Sequence, residues 1–161
     1  MDMVYEPKCP ECKSDLLKKV ETNDDIKQFG KLKVELIKYH QQYANHLGLQ
    51  DEIVEKYSYE DAVRNVGKPD YCQFLIMDKD NPIGIMEYQF VDSDIDSTKI
   101  LYLKNMYVKA SKRGKGVGTQ IITELKKLGY RIELKCWYGM PSNRMYRNLG
   151  AKEVKTHYML T

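Results

Sequence analysis

Apolar residues in the first half of the chain recur every three or four positions, which is the spacing of one helix face. Thr22 precedes this stripe and Asp25 follows three residues later, a pair that predicts a capping box at the helix start. Gly48 is the natural stop of this first helix, and a shorter second helix is predicted over residues 58–66. The stripe consists of Ile26, Phe29, Leu32, Leu36, Tyr39, Tyr43 and Leu47.

Short apolar runs bounded by turn residues predict strands in the rest of the chain. One strand over residues 16–20 precedes the first helix, and the other strands alternate with two further helices. This order predicts an α/β protein in which a mixed sheet carries helices on both faces, as one domain over residues 16–161 after an extension over residues 1–15. The other predicted strands span residues 71–77, 83–91, 100–108, 131–137 and 153–160, and the further helices span residues 119–128 and 141–149.

Composition narrows the class of protein. The 161 residues are 42% hydrophobic and 30% charged, which is typical of a soluble globular domain. No apolar run approaches the roughly 20 residues that a membrane helix needs. The chain start lacks the basic and then apolar stretches of a signal peptide, so we expect a cytoplasmic protein with no membrane partner. In that setting the four cysteines are better explained as thiols or metal ligands than as a disulfide framework.

Charge is divided unevenly along the chain. Residues 1–98 hold 12 Lys and Arg against 20 Asp and Glu, whereas residues 99–155 hold 14 Lys and Arg against 3 Asp and Glu. A chain that separates its charge in this way is suited to bind an anion with its second half. A solvated lysine surface is the alternative explanation.

The most informative segment is a glycine-rich loop between a predicted strand and a predicted helix. Gly114, Gly116 and Gly118 let the backbone approach a ligand without interference from a Cβ atom. The following helix directs unpaired N–H groups and the positive end of its dipole at the loop, which favours a phosphate. Three basic side chains flank the glycines: Lys112, Arg113 and Lys115.

Three phosphate-binding motifs compete for this loop. A Walker A loop needs GxxxxGK followed by Ser or Thr, which is absent, and the dinucleotide fingerprint needs GxGxxG with an acid about 20 residues on. Here the glycines read GxGxG, and Glu133 lies close to the start of a predicted strand. The hexapeptide RGKGVG is instead similar to the pyrophosphate loop of acetyl-CoA-dependent N-acetyltransferases, Q/R-x-x-G-x-G/A. A loop that only turns the chain is the remaining alternative.

Two segments carry a wider resemblance. They are YLKNMYVKASKRGKGVGTQIITEL, residues 102–125, and MYRNLGA, residues 145–151. Through these segments and the element order, residues 16–160 resemble the GNAT superfamily of N-acetyltransferases. The resemblance implies a GNAT-like fold and an enzyme that moves the acetyl group of acetyl-CoA to an amine, with CoA as product. It does not identify the amine.

The resemblance also implies a cofactor site. The strand over residues 101–108 would splay from its neighbour, and a backbone N–H near Met106, Tyr107 and Val108 would polarise the thioester carbonyl. Arg113 and the amides of residues 114–119 would hold the pyrophosphate. The asparagine of the family's late loop would fall at Gly139, with Asn143 nearby. The implied cofactor-binding residues are Met106, Tyr107, Val108, Arg113, Gly114, Lys115, Gly116, Val117, Gly118, Thr119 and Asn143.

Two residues are candidates for the proton transfers of acyl transfer to an amine. Tyr146 matches the family tyrosine that protonates the leaving thiolate, although a packing aromatic is the alternative for this position. Some family members place a basic glutamate on the central strand, but Tyr102 occupies that position here. Glu87 on the preceding strand is the next candidate for the base, and a chain of waters is the other.

The acids of the first half suggest a partner. They cluster at the acceptor side of the family fold, which predicts a cationic small molecule or peptide as the amine acceptor. A non-catalytic acyl-CoA sensor and, less favoured, a nucleic-acid-binding protein are the alternative functions; no nucleic-acid partner is expected. The clusters are Asp51, Glu52 and Glu55, and Asp92, Asp94 and Asp96.

Two features near the chain ends are less informative. Cys9 and Cys12 form CPEC, which is half of a structural zinc site. Because a second pair with this spacing is lacking, incidental thiols are favoured over zinc, and no metal ligand is assigned. The chain ends eleven residues past Gly150. One strand of the family's usual last pair is therefore missing or comes from a second subunit, so a homodimer is one expectation.

Overall fold

The computed structural model describes residues 15–44 and 48–160, so Cys9, Cys12 and Leu47 lie outside the described residues. Five strands form one sheet and four helices pack on it. The strands are β1 Leu17–Lys19, β2 Tyr71–Asp78, β3 Asn81–Asp92, β4 Lys99–Val108 and β5 Arg131–Leu134. The helices are α1 Asn23–Gln41, α2 Asp51–Asn65, α3 Val117–Lys126 and α4 Ser142–Asn148.

The sheet has the strand order β1-β2-β3-β4-β5. Strands β1 to β4 are antiparallel neighbours, and β5 pairs with β4 in parallel. Side chains from α1 and α2 pack against one face, and side chains from α3 and α4 pack against the other. The predicted fold class, a mixed sheet with helices on both faces, is confirmed.

The start of α1 is set by its sequence. The Thr22 side chain accepts from the Asp25 backbone at 3.1 Å, and the Asp25 carboxylate accepts from the Thr22 backbone at 3.0 Å. This is the predicted capping box, which satisfies amide donors that have no partner inside the helix. Phe29, Leu32 and Leu36 of the predicted stripe are buried against the sheet. The helix ends at Gln41, earlier than the stripe predicted.

Helix α2 begins at Asp51, seven residues before the predicted start at Ser58. The acids Asp51 and Glu52 occupy its first turn, where negative charge is favourable near the positive end of the helix dipole. Ser58 is inside the helix, and its hydroxyl donates to the Val54 carbonyl at 2.7 Å. A serine that bonds back to the preceding turn is therefore not a cap here.

The predicted strand over residues 153–160 is wrong. Residues 151–160 are exposed and contain no regular secondary structure. Alternating apolar residues form a strand only when an edge and a buried face receive them, and among the described residues none pairs with this segment. Strand β5 is also shorter than predicted and ends at Leu134.

Two findings concern the cysteines and the membrane. Cys72 on β2 is disulfide-bonded, so the expectation of thiols or metal ligands is wrong for this residue, whereas Cys136 is a free cysteine. Within residues 15–44 and 48–160, no cluster of three or more His, Cys, Asp or Glu side chains could hold a metal ion. Over the same residues, no helix has the length and apolar character to cross a membrane.

A buried ionic network joins α1 and α2 to the sheet. Lys33 on α1 has only 2% of its side chain exposed, and its ammonium donates to Asp61 on α2 and, at 2.9 Å, to Glu87 Oε1 on β3. Glu87 also accepts from the Tyr71 hydroxyl at 2.8 Å and from the side-chain amide of Asn105. The network thus connects two helices with strands β2, β3 and β4.

The contacts of the network shift the pKa values of Lys33, Asp61 and Tyr71. Burial alone would lower the pKa of Lys33, but the Glu87 and Asp61 carboxylates outweigh burial and raise that pKa. Burial opposes the charged form of Asp61, yet the Lys33 ammonium holds the pKa of this carboxyl below its usual range. Burial and the Glu87 carboxylate raise the pKa of Tyr71, so its hydroxyl remains a donor at neutral pH.

We expect Lys33→Met to lower the free energy of unfolding by about 3–5 kcal/mol, because two carboxylates would stay buried without their cation. Denaturant unfolding followed by circular dichroism measures this loss. Lys31→Met, on the exposed side of α1, is the matched control and should change the free energy by less than about 0.5 kcal/mol. Equal, small losses in both variants would contradict a stabilising role for the network.

Candidate active site

Strands β4 and β5 leave an opening because they pair over only part of their length. Their parallel register begins at Ile100 with Arg131 and ends at Leu103 with Leu134. Strand β4 continues to Val108, whereas β5 ends at Leu134. Backbone groups on this edge of β4 after Leu103 therefore have no partner on β5. We call this opening beside residues 104–108 the channel.

A bulge lies where the channel begins. Glu87 on β3 pairs with Asn105, but the next residue, Tyr88, pairs with Leu103. Lys104 is therefore the extra residue, and it lies opposite no partner on β3. A bulge disrupts the local ladder and bends the strand, so backbone N–H groups at this point can be directed at a ligand in the channel.

The glycine-rich loop follows the end of β4 and leads into α3. Gly114 and Gly116 have φ angles of 77° and 79°, a left-handed conformation that strains other residues. Beyond each glycine and its two neighbours in the chain, no atom of the described residues lies within 4 Å of the place that a Cβ atom would take. The first bond of the α3 ladder runs from the Gln120 N–H to the Gly116 carbonyl at 3.0 Å. The N–H groups of residues 117–119 precede this ladder, so they remain for an anion.

A groove of about 410 Å³ extends this anion site between α3 and α4. Arg144 contributes a positive charge to the groove, and Lys115 adds another from the loop. Over the described part of the chain, neither cation has an acidic partner within ion-pair distance. The groove is lined by Thr119, Pro141, Arg144, Met145, Asn148 and Leu149.

Residues 106–108 do not all face the same side of the sheet. Met106 and Val108 pack against the core beneath α3, and a Cβ atom on Gly118 would lie 3.4 Å from the Met106 methyl group. The Tyr107 side chain lies on the opposite face, near Tyr39 of α1. Only the backbone of Tyr107 therefore remains for a ligand in the channel, in keeping with the backbone role expected for this position.

The Arg113 side chain also lies toward α1. Its guanidinium carbon is 4.1 Å from the ring centre of Tyr39 and 5.3 Å from that of Tyr107. Its Nε–H donates to the Val108 carbonyl at 2.7 Å. The sequence motif predicted this residue at the pyrophosphate, but its planar side chain is held between two aromatic rings.

Tyr146 lies in the middle of α4 with 9% of its surface exposed. Its burial, and to a smaller extent the nearby Cys136 in the segment after β5, raise the pKa of its hydroxyl well above the ordinary value. The hydroxyl is therefore protonated at neutral pH, as a general acid must be. Cys136 lies two residues after β5, so Tyr146 lies near the end of that strand, in the core cluster under α3.

Asn143 has a structural task. Its side-chain amide donates to the Trp137 carbonyl at 3.0 Å and to the Met140 carbonyl at 2.9 Å. Both amide protons are thereby committed to the turn that precedes α4. Only the amide oxygen remains for a cofactor, so the predicted contact would have to use it.

Glu87 has no exposed surface and belongs to the network with Lys33. It lies on the sheet face of α1 and α2, across the sheet from α3. A substrate amine therefore cannot contact this carboxylate directly in the described structure. A role as base would require a relay through its hydrogen-bonding partners.

The sequence analysis missed Lys33, Asp61 and Asn105. A signal existed for the first two, because Lys33 is spaced four residues from Phe29 and lies on the buried stripe of α1. Asp61 similarly lies on the buried face of α2. Charged residues at core positions of two neighbouring helices indicate a buried ion pair. No local signal connects Asn105 with Glu87, because the bulge decides their register.

The two acidic clusters that the sequence placed at the acceptor side do not lie in the same part of the structure. The turn with Asp92 and Asp96 precedes β4, so roughly 30 Å of strand separates it from the glycine-rich loop. Asp92 is paired with Lys99 at 2.6 Å, and Asp96 accepts from the Thr98 backbone at 2.9 Å. These acids are engaged locally, and so is Asp51 of α2, which lies 3.7 Å from Lys38, whereas Glu52 and Glu55 have no cationic partner among the described residues.

Solved structures share this architecture. The tetramutant of the BH1408 protein from Bacillus halodurans superposes with a TM-score of 0.71 at 16% identity, covering 91% of this chain and 99% of that chain. An aminoglycoside acetyltransferase from an uncultured soil metagenomic sample has a TM-score of 0.65 at 16% identity, covering 90% and 96%. AAC(6')-Iy in complex with the bisubstrate analogue CoA-S-monomethyl-acetylneamine has a TM-score of 0.66 at 16% identity, covering 90% and 95%. At these identities, the likeness is one of fold.

A comparison of sequences gives the family. No curated protein matches the chain. The sequence profile described as the acetyltransferase (GNAT) family, however, matches residues 34–151, a range that includes both segments on which the resemblance depended. Because this match covers more than half of the chain and agrees with the channel and the loop, the chain belongs to the GNAT family of acetyltransferases.

Proposed function

We propose that the protein transfers the acetyl group of acetyl-CoA to a primary amine. The observation that carries this proposal is the continuity of two features: the channel beside residues 104–108 and the anion site at the start of α3. A thioester arm in the channel would lead directly to a pyrophosphate at residues 114–119. Met106 and Val108 supply apolar surface along this path.

Lys115 and Arg144 extend the proposed cofactor site. Both are exposed beside the α3–α4 groove and have no acidic partner in the described ranges. Their charges complement the phosphates of CoA, and the N–H groups at the start of α3 complement the pyrophosphate. The Gly116 φ angle of 79° permits the close backbone approach that this contact requires.

We expect Gly116→Asp to weaken acetyl-CoA binding at least tenfold, measured by titration calorimetry. The new carboxylate would occupy the open space at the loop and repel the phosphates. Gly129→Asp is the matched control, because Gly129 has a φ angle of 82° and equally open surroundings but lies beyond the other end of α3. Both variants strain the backbone, but only the first should lose affinity. Equal affinities in the two variants would contradict the cofactor site.

The proposed reaction forms one bond and breaks one. A neutral amine attacks the thioester carbonyl carbon, the C–N bond forms, the C–S bond breaks, and the CoA thiolate accepts a proton. Backbone N–H groups at the Lys104 bulge would stabilise the oxyanion, and Tyr146 would supply the proton to sulfur. The amine loses its own proton to water or, through a relay, to Glu87.

We expect Tyr146→Phe to lower kcat by about 10²–10⁴-fold with little change in KM for acetyl-CoA, because the hydroxyl acts mainly in the transition state. Since burial raises the pKa of Tyr146, ionisation of this residue should not reduce wild-type kcat between pH 7 and about 10. Steady-state kinetics across that pH range measure both effects.

Tyr138→Phe is the control for the loss of a tyrosine hydroxyl, because Tyr138 is 99% exposed in the loop after β5. It should leave kcat unchanged. Thermal unfolding of both variants tests whether either substitution disturbs the fold. A full kcat in Tyr146→Phe, with acyl transfer established as rate-limiting, would assign this residue to packing alone.

The proposal includes a cationic acceptor, a small molecule or a peptide. Fewer acids support a cationic acceptor than the sequence suggested. Asp92 is paired with Lys99, and Asp96 accepts from the Thr98 backbone, both far from the glycine-rich loop. The remaining support is Glu52 and Glu55, exposed at the start of α2, because their neighbour Asp51 is paired with Lys38 of α1 at 3.7 Å. Exposed acids attract cations over distances set by the salt concentration.

We expect kcat/KM for cationic amines to exceed that for neutral amines at low salt and to fall as salt is raised. Reversing charge with Glu52→Lys and Glu55→Lys should remove most of the salt dependence. Asp92→Lys, in the distant turn, is the matched control and should preserve it. A preference for neutral amines, or salt dependence unaltered by the α2 variants, would contradict the cationic acceptor.

A further inference from the structure

The Arg113 side chain has partners on two elements, helix α1 and strand β4. Its planar group is stacked against Tyr39 of α1 at 4.1 Å and near Tyr107 of β4 at 5.3 Å, and its Nε–H donates to the Val108 carbonyl. Tyr39 and Tyr107 are themselves in contact, with ring centres 6.1 Å apart. Arg113 is the residue from which the chain enters Gly114.

These contacts cross the sheet. The anion site lies at α3, whereas Tyr39 lies on α1, which packs on the other face. Arg113 therefore connects the start of the glycine-rich loop to the helix on the opposite side. Gly114 follows directly with a φ angle of 77°, so the backbone direction at Arg113 sets where the next amides point.

We propose that Tyr39 is a positioning residue for acetyl-CoA: with Tyr107 it fixes the Arg113 side chain and thereby aims the amides of residues 114–119. This inference rests on the proposed function, because it concerns the same cofactor site. The Tyr39 ring contacts the Arg113 and Tyr107 side chains, and it acts on the loop amides through Arg113.

The contact between Arg113 and Tyr39 depends on the aromatic ring of Tyr39 and not on its hydroxyl group. A guanidinium is attracted to the face of an aromatic ring, and phenylalanine provides that face as well as tyrosine does. Lysine at position 113 would keep the charge but lose the planar stack and the Nε–H donor. Tyr43 packs edge-on against Tyr39, with ring centres 5.6 Å apart, and its ring is not one of the two over which the Arg113 guanidinium lies. It is therefore a matched control for aromatic packing at this end of α1.

The experiment measures the Kd of acetyl-CoA by titration calorimetry in the full chain. Tyr39→Leu should weaken binding by about three- to tenfold, the range expected for loss of a partly exposed cation–π contact. Tyr39→Phe should bind as the wild type does, and so should Tyr43→Leu. The thermal unfolding midpoint of each variant is measured alongside, and the ordering of affinities should not follow the ordering of midpoints.

A double-mutant cycle of Arg113→Lys with Tyr39→Leu tests the route of the effect. If Tyr39 acts through Arg113, the double variant binds no more weakly than Arg113→Lys alone. Additive losses, or equal affinity in Tyr39→Leu and Tyr43→Leu, would overturn the inference and leave the proposed function intact. Failure of the wild type to bind acetyl-CoA would overturn both.

Discussion

The buried ammonium of Lys33 fixes the packing of helices α1 and α2 against the sheet. It lies between Asp61 of α2 and Glu87 of β3, and Glu87 in turn holds Asn105 of β4. Removing any one charge would leave an unbalanced charged group buried in the protein interior. The position of α1 on the sheet, and with it the position of Tyr39, is thus coupled to the strand that borders the channel.

The side chains of strand β4 point to two different faces of the sheet. Met106 and Val108 face the core under α3, whereas Asn105 and Tyr107 face α1. The Lys104 bulge shifts this alternation by one residue, and without it Asn105 would point away from Glu87. The extra residue therefore lets Asn105 join the ionic network on the face of α1 and α2, at the same point of β4 where the channel begins.

The sequence predicts best the features that depend on neighbouring residues. The strand, glycine-rich loop and helix around residues 100–128 follow from local patterns, and so does the capping box at Thr22. The predicted strand over 153–160 failed because a strand needs an edge to receive it, which no local pattern supplies. The Lys33 network was missed for a related reason: its partners are 28 and 54 residues away. The motif gave the position of Arg113 but not the direction of its side chain.

The uneven distribution of charge along the sequence has to be interpreted together with the ion pairs in the structure. Part of the positive charge in the second half is paired locally with acids of the first half, since Lys99 pairs with Asp92 and Lys112 with Asp78. Lys115 and Arg144 have no such partner among the described residues, and both lie beside the start of α3. Exposed ion pairs contribute little to stability or to long-range attraction. These two cations and the α3 amides lie together at the proposed phosphate site, so the position of the cations says more about anion binding than the net charge counted along the sequence.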